Sequence, residues 1–138
     1  MDTKQYLSKI RYYDRMIRNK FEEMNQIKGL SLSLSVPTDK EKVQSSGDKD
    51  KIGKSISIAV DLENEIEEII KKRAYIVTQI SQMEDADYYD VLAQKYILGK
   101  IPKEIFLEDV KSERQVKRIL GDALKAFEKK YGSEYLMS

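Results

Sequence analysis

Apolar residues in the first part of the chain recur at alternating steps of four and three, which is the spacing of one face of an α-helix. The stripe consists of Tyr6, Ile10, Tyr13, Ile17, Met24 and Ile27. One slot in the series holds a charged residue, Lys20. The pattern predicts a helix over residues 3–28. Because a long apolar stripe is unstable in water, this helix needs a partner.

A second stripe with the same steps runs along residues 55–83. It consists of Ala59, Leu62, Ile66, Ile69, Ile76, Ile80 and Met83, with Arg73 in the one charged slot. Two stripes of similar length, joined by a segment long enough to reverse direction, predict an antiparallel helical hairpin with coiled-coil-like packing. Lys20 and Arg73 have two interpretations. Their stems cover apolar surface while their charged heads reach water, or the two residues fix the register or the oligomeric state.

The segment between the stripes, residues 29–53, is rich in Ser, Asp, Lys and Gly and contains Pro37. No helical period continues through it, so we expect a long loop that is mobile over residues 38–51. Its VQSSGDKD stretch has two interpretations, a disordered connector or a loop that binds a partner.

The C-terminal part of the chain carries start and stop signals for helices. An acidic stretch at residues 84–87 supplies N-cap candidates, and Gly99 suits the end of the helix that follows. Pro102 suits the first turn of a second helix, formed by KEIFLEDV and about two turns long. Ser112 then precedes Gln115 by three residues, which is the spacing of a capping box.

The last predicted helix has an apolar face and ends by Gly132. The face consists of Val116, Ile119, Leu120, Ala123, Leu124 and Phe127. A two-turn helix before a longer capped one is the helix-turn-helix arrangement. The chain is therefore predicted to be all-α. Residues 1–84 form a helical hairpin that contains the 29–53 loop, and residues 85–138 form a three-helix helix-turn-helix unit.

Composition excludes several classes of chemistry. The chain has no Cys and no His, so it lacks thiolates and the commonest general base and transition-metal ligand. No glycine-rich phosphate loop or convincing carboxylate pair is present, and Asp48, Asp50 and Asp61 lack the spacing of a calcium loop. We expect a protein that is not an enzyme, with no cofactor, no metal and no small-molecule substrate. No signal-peptide core or membrane-length apolar run is present, so a cytoplasmic protein is expected.

The stretch DVLAQKYILGKIPKEIFLEDVKSERQVKRILGDALKAF resembles the fourth region of bacterial sigma factors and related phage regulators. The matching positions are Val91, Leu92, Tyr96, Gly99, Glu104, Ile105, Ser112, Val116, Leu120, Ala123 and Leu124. With the preceding hairpin and the VQSSGDKD stretch, the whole chain resembles small phage or prophage proteins that are likened to ArpU-type late-gene transcriptional regulators. The resemblance implies a transcriptional regulator whose last helix contacts double-stranded DNA. Sigma-like units also bind RNA polymerase subunits, which makes the polymerase a second candidate partner.

Three positions depart from the family pattern. Phe106 stands where the short helix usually has a small residue, and Asp109 and Val110 stand where Leu and Gly are usual. Either the helices cross differently, or Leu107 and Val110 take the buried role. The departures favour an alternative function, a protein-interaction or phage assembly module with a degenerate helix-turn-helix and an oligomeric coiled coil that binds a host or phage protein.

The predicted DNA contacts lie at the start of the last helix, where a recognition helix meets base edges and phosphates. They are Lys111, Ser112, Glu113, Arg114, Gln115, Lys117 and Arg118. Arginine can bridge two acceptors of guanine, glutamine can pair with adenine, and Lys117 suits a phosphate. Residues 111–131 hold seven basic and three acidic residues, so their net charge is +4. The net charge of the whole chain is +1, so the remainder of the chain is net negative. A single unit of this size binds weakly, and a homodimer on paired half-sites is expected.

Overall fold

The structure is a computed structural model that describes the backbone of residues 1–35 and 46–138 and the side chains of residues 1–30 and 50–138. Within these ranges the chain forms four α-helices: α1 (Thr3–Ser35), α2 (Ser46–Ser81), α3 (Ala86–Leu92) and α4 (Glu113–Tyr131). The described residues form no named strand, and their one β feature is an isolated antiparallel bridge between Leu107 and Val110. The all-α prediction is confirmed.

The long helices extend further than their apolar stripes. Helix α1 continues to Ser35 and α2 begins at Ser46, so both enter the predicted 29–53 loop. Gly29 and Gly53 lie inside these helices in open space. One glycine costs a helix only about 1 kcal/mol relative to alanine, which a long helix can absorb. The part of the predicted mobile loop at residues 46–51 is therefore helical, and residues 36–45 lie outside the described part of the chain.

The chain divides into two compact units, one formed by Met1–Asp14 with Lys71–Ser138 and the other by Arg15–Ile70. The Arg15–Ile70 unit contains the adjoining segments of α1 and α2. Met24 of α1 packs with Ala59 and Leu62 of α2, and the Lys20 ammonium lies 2.8 Å from the Glu65 carboxylate. The two segments therefore run antiparallel, and the charged slot at Lys20 joins the two helices.

The other unit holds the larger core, to which every long element contributes. Its buried apolar residues are Tyr6, Leu7, Ile10, Ile76, Ile80, Val91, Leu92, Tyr96, Ile105, Leu107, Val116, Ala123, Phe127 and Tyr135. Leu7 is fully buried although it lies outside the predicted stripe, because this end of α1 packs against both α2 and the C-terminal elements. The Arg73 guanidinium lies 2.6 Å from Asp14 of α1, so the second charged slot also joins two helices.

Both stripes predicted from the sequence are confirmed. Tyr6, Ile10 and Met24 of the first are buried, and the remaining apolar members are half-buried. In the second stripe every apolar member is buried except Met83, which is half-buried. Helical pairing follows directly from this periodicity, because each stripe can be buried only by placing it against another apolar surface.

The region between α3 and α4 differs from the prediction. Asp85 caps α3 as expected, accepting hydrogen bonds from the backbone of Asp87 and Tyr88 at 2.9 and 3.1 Å. The helix then widens into a π-helical turn, Ala93–Ile97, and Gly99 follows with a left-handed φ of 74°. The predicted two-turn helix is wrong: only a 3₁₀ turn, Pro102–Glu104, is present, and an extended segment and a tight turn follow it.

Candidate nucleic-acid interface

The start of α4 is fixed by side chains that were predicted to do so. Ser112 has an extended backbone, and its hydroxyl accepts a hydrogen bond from the Gln115 N–H at 3.2 Å. The Gln115 amide oxygen accepts from the N–H of Lys111 at 3.3 Å, one residue before the position that a capping box uses. The N-cap is confirmed, and the Gln115 side chain is engaged in local structure.

One face of α4 is anchored in the core. Val116, Ala123 and Phe127 are buried, and the other predicted apolar residues of this helix are half-buried against the same core. The phenyl ring of Phe127 packs at 4.9 Å from the ring of Tyr131 and at 6.1 Å from that of Tyr6. The orientation of the opposite face is therefore set by a well-packed inner face.

All seven predicted DNA-contact residues are exposed. They differ in their partners. Lys117 forms an ion pair with Glu113 at 3.4 Å, one helical turn away. The side chains of Arg114 and Arg118 have no hydrogen bond or ion pair with the rest of the described chain. Because they are four residues apart, they lie on the same face of the helix. Their positive charge adds to that of the helix N-terminus.

The basic residues at the other end of α4 have a different arrangement. The Lys130 ammonium donates to the Gln82 carbonyl oxygen at 2.7 Å, and the Tyr131 hydroxyl donates to the Gln82 side chain at 3.0 Å. These bonds tie the end of α4 to the segment that follows α2. One of the basic residues in 111–131, Lys130, is therefore engaged in a contact that holds the fold together.

The segment before α4 is organised by one buried amide, that of Gln94. Its oxygen accepts from the Phe106 N–H at 3.0 Å, and its nitrogen donates to the Phe106 carbonyl at 2.5 Å. Asp90 and Lys100 hold the amide from the other side, at 2.9 and 3.2 Å. We call this arrangement the Gln94 clamp. It satisfies the Phe106 backbone and explains why the segment does not need to be helical.

The clamp places neighbouring side chains on opposite sides. Ile105 and Leu107 are buried, whereas Phe106 is 74% exposed. Leu107 then faces Val110 across a two-residue turn that places Asp109 at a φ of 64°. Leu107 is buried and Val110 is half-buried. These two residues therefore supply the core contacts, which is one of the two alternatives that the sequence predicted. Sequence reasoning missed Gln94, although it follows the buried Val91 by three residues, the spacing of one helix face.

A broad groove of about 620 Å³ lies elsewhere in the same unit. Its lining residues are Tyr6, Lys9, Tyr13, Lys72, Tyr75, Ile76 and Glu134. The Glu134 carboxylate accepts from the Tyr75 hydroxyl at 3.0 Å and from the Gln79 amide at 2.6 Å. Burial, and secondarily the charge of Glu134, raises the pKa of Tyr6 to about 12. The Tyr6 hydroxyl therefore stays protonated at neutral pH and offers no base for catalysis.

The described residues hold neither a candidate metal site nor a helix that could span a membrane. They contain no group of three or more acidic side chains that could hold a metal ion. No helix in the described ranges is both long enough and apolar enough to cross a membrane. No protein-family model, no curated protein and no solved structure matches this chain. The resemblance to sigma-type regulators therefore remains one of sequence motif.

Proposed function

We propose that this protein is a phage-type transcriptional regulator that binds double-stranded DNA through the N-terminal half of α4. The observation that carries the proposal is the state of Arg114 and Arg118. Both are exposed on one face of a helix whose other face is anchored, and neither has a partner in the described part of the chain. Two free guanidinium groups at a helix N-terminus favour binding of an anion.

The other predicted contact residues take different roles in this proposal. Lys111 and Lys117 suit phosphates, and Lys117 would have to leave Glu113 to reach one. Gln115 would have to release the Lys111 backbone before its amide could pair with adenine. Ser112 acts as the helix cap and can donate its hydroxyl to a phosphate. The sequence-reading role thus belongs chiefly to the two arginines.

A homodimer forms part of the proposal, because one short helix contacts too few bases for tight binding. Two copies would place their α4 helices on half-sites about 34–36 Å apart, one turn of DNA. The long helices α1 and α2 are the candidate elements for self-association or for contact with RNA polymerase. The cytoplasm is the compartment in which such a protein would meet DNA.

The test is fluorescence anisotropy on duplex DNA from the protein's own locus across a salt series. Arg114→Ala with Arg118→Ala should weaken binding by about 1–3 kcal/mol for each base contact that is lost and should reduce the preference for particular bases. The matched control is Lys125→Ala with Lys129→Ala, an exposed basic pair with the same spacing near the other end of α4. Absence of binding at low salt, or equal losses in both double variants, would contradict the proposal.

A second candidate function is a protein-interaction or phage assembly module. The exposed Phe106 ring and the missing short helix favour it, because the short helix normally supports a recognition helix on DNA. Light scattering combined with a pull-down from host lysate discriminates between the two functions. A monomer without a protein partner would count against the second function.

A further inference from the structure

An exposed aromatic ring stands beside the start of α4. Phe106 is 74% exposed, and among the large apolar side chains of the described residues only Met137 is more exposed. Single exposed apolar residues are common on protein surfaces and need no special explanation. Phe106 differs because the surrounding structure holds it in this position.

The Gln94 clamp fixes the ring outward. Both backbone groups of Phe106 bond to a single buried amide, which Asp90 orients at 2.9 Å. Ile105 and Leu107 on either side are buried in the core. Because side chains alternate along extended backbone, Phe106 could turn inward only if both neighbours turned out. The exposure is therefore a property of the fold.

The position of the ring follows from the bridge between Leu107 and Val110. The bridge is a single pair, and the next residues along its two arms are Phe106 and Lys111. Both residues adjoin the bridge on the side away from the two-residue turn. Lys111 directly precedes Ser112, the cap of α4. The ring thus lies next to the first of the proposed DNA-contact residues.

Charged residues of both signs lie near the ring along the chain. The Glu104 carboxylate accepts from the Ile101 N–H at 3.1 Å, and Glu113 is paired with Lys117. Glu108 and Asp109 form the closed end of the turn, on the far side of the bridge from Phe106. On the near side stands Lys111. A polyanion that engages the start of α4 would therefore meet a cation and an apolar ring together.

Double-stranded DNA offers a group that suits such a ring. In the major groove thymine presents a C5-methyl group, and phenylalanine is one of the side chains that contact it. We propose that Phe106 contacts thymine methyl groups when α4 enters the major groove and gives the protein a preference for thymine next to the bases that the arginines read. This inference rests on the proposed function of α4.

The experiment compares three duplexes of equal length at one low salt concentration: alternating d(A-T), the same duplex with deoxyuridine in place of thymidine, and alternating d(G-C). The first two differ only in the methyl group. The unsubstituted protein should bind the thymine duplex about fourfold more tightly than the uracil duplex, the factor expected for one buried methyl group. Phe106→Ala should bind these two duplexes equally, and Phe106→Leu should retain part of the preference.

Leu98→Ala is the matched control, since Leu98 is a large apolar residue that is 59% exposed and lies outside the bridge. It should keep the fourfold preference. Circular dichroism should show unchanged folding in the Phe106 variants, because the clamp holds only backbone atoms.

The outcomes separate this inference from the proposed function. If no duplex is bound, both fall. If all three duplexes are bound but uracil and thymine are equivalent, α4 binds DNA and the role of Phe106 is refuted. If Phe106→Ala keeps the preference, another residue contacts the methyl group, and the ring serves another surface, such as that of a protein.

Discussion

At the scale of single residues, Asp109 shows how strain is tolerated in the turn before α4. It is the non-glycine residue with a positive φ in the described part of the chain, at 64°. The left-handed region costs most L-residues about 1–2 kcal/mol, and aspartate is among those that enter it more readily. The turn therefore closes on an aspartate at a position whose φ would suit glycine.

Asp109→Gly should therefore stabilise the protein by about 0.5–1 kcal/mol, because relief of the left-handed strain exceeds the extra entropy that glycine loses on folding. Urea unfolding would measure the change in the free energy of unfolding. Glu108→Gly is the matched control, because Glu108 has no positive φ. This substitution should destabilise the protein, since glycine loses more backbone entropy on folding and no strain is relieved. Equal effects of the two substitutions would contradict the strain argument.

At the scale of elements, the sequence predicted what depends on local pattern and missed what depends on a distant side chain. The stripes of α1 and α2, the cap at Asp85 and the cap at Ser112 follow from spacing alone. The KEIFLEDV segment has good helix-forming residues, yet its backbone bonds to Gln94, twelve residues away. No local rule reports that interaction. The free state of Arg114 and Arg118 likewise required the structure, because pairing depends on three-dimensional neighbours.

The cap of α4 permits a test that separates stability from binding. Ser112→Ala removes the acceptor for the Gln115 N–H and should cost about 1 kcal/mol of unfolding free energy. Ser112→Asp keeps a cap and adds a charge that the helix N-terminus favours, so stability should be retained. The same carboxylate stands between Lys111 and Arg114 and should weaken DNA binding.

Thermal unfolding and anisotropy on the same two variants would measure both effects. Tight DNA binding by a fully stable Ser112→Asp protein would show that the start of α4 is remote from the DNA.

At the scale of the whole molecule, alkaline pH should unfold the chain through its buried phenols. Burial raises the pKa of Tyr6 and of Tyr96 to about 12, from an ordinary value of 10.0. Between these values the unfolded chain ionises while the folded protein keeps both hydroxyls protonated. Stability is therefore complete below about pH 10 and falls as the pH rises towards 12. The hydrogen bond from Lys20 to Glu65 raises the pKa of Lys20 and acts in the same direction.

Tyr96→Phe should make this alkaline loss of stability less steep, because it removes one of the buried phenols whose pKa is raised. Tyr89→Phe is the control, since the Tyr89 side chain is exposed and removal of its hydroxyl should leave the slope unchanged. Urea unfolding at a series of pH values would measure the slope. An identical slope in Tyr96→Phe and the unsubstituted protein would show that ionisation of Tyr96 does not contribute to the alkaline loss of stability.

The Gln94 clamp has a consequence for how this surface can change over generations. It recognises the N–H and carbonyl of residue 106 and makes no demand on the side chain that residue carries. Any amino acid except proline, which lacks the N–H, can therefore occupy position 106 without a cost to the clamp. The fold keeps the position fixed in space while leaving its chemistry open. Mutation can thus replace the side chain at position 106 without weakening the clamp, so no compensating substitution elsewhere is needed.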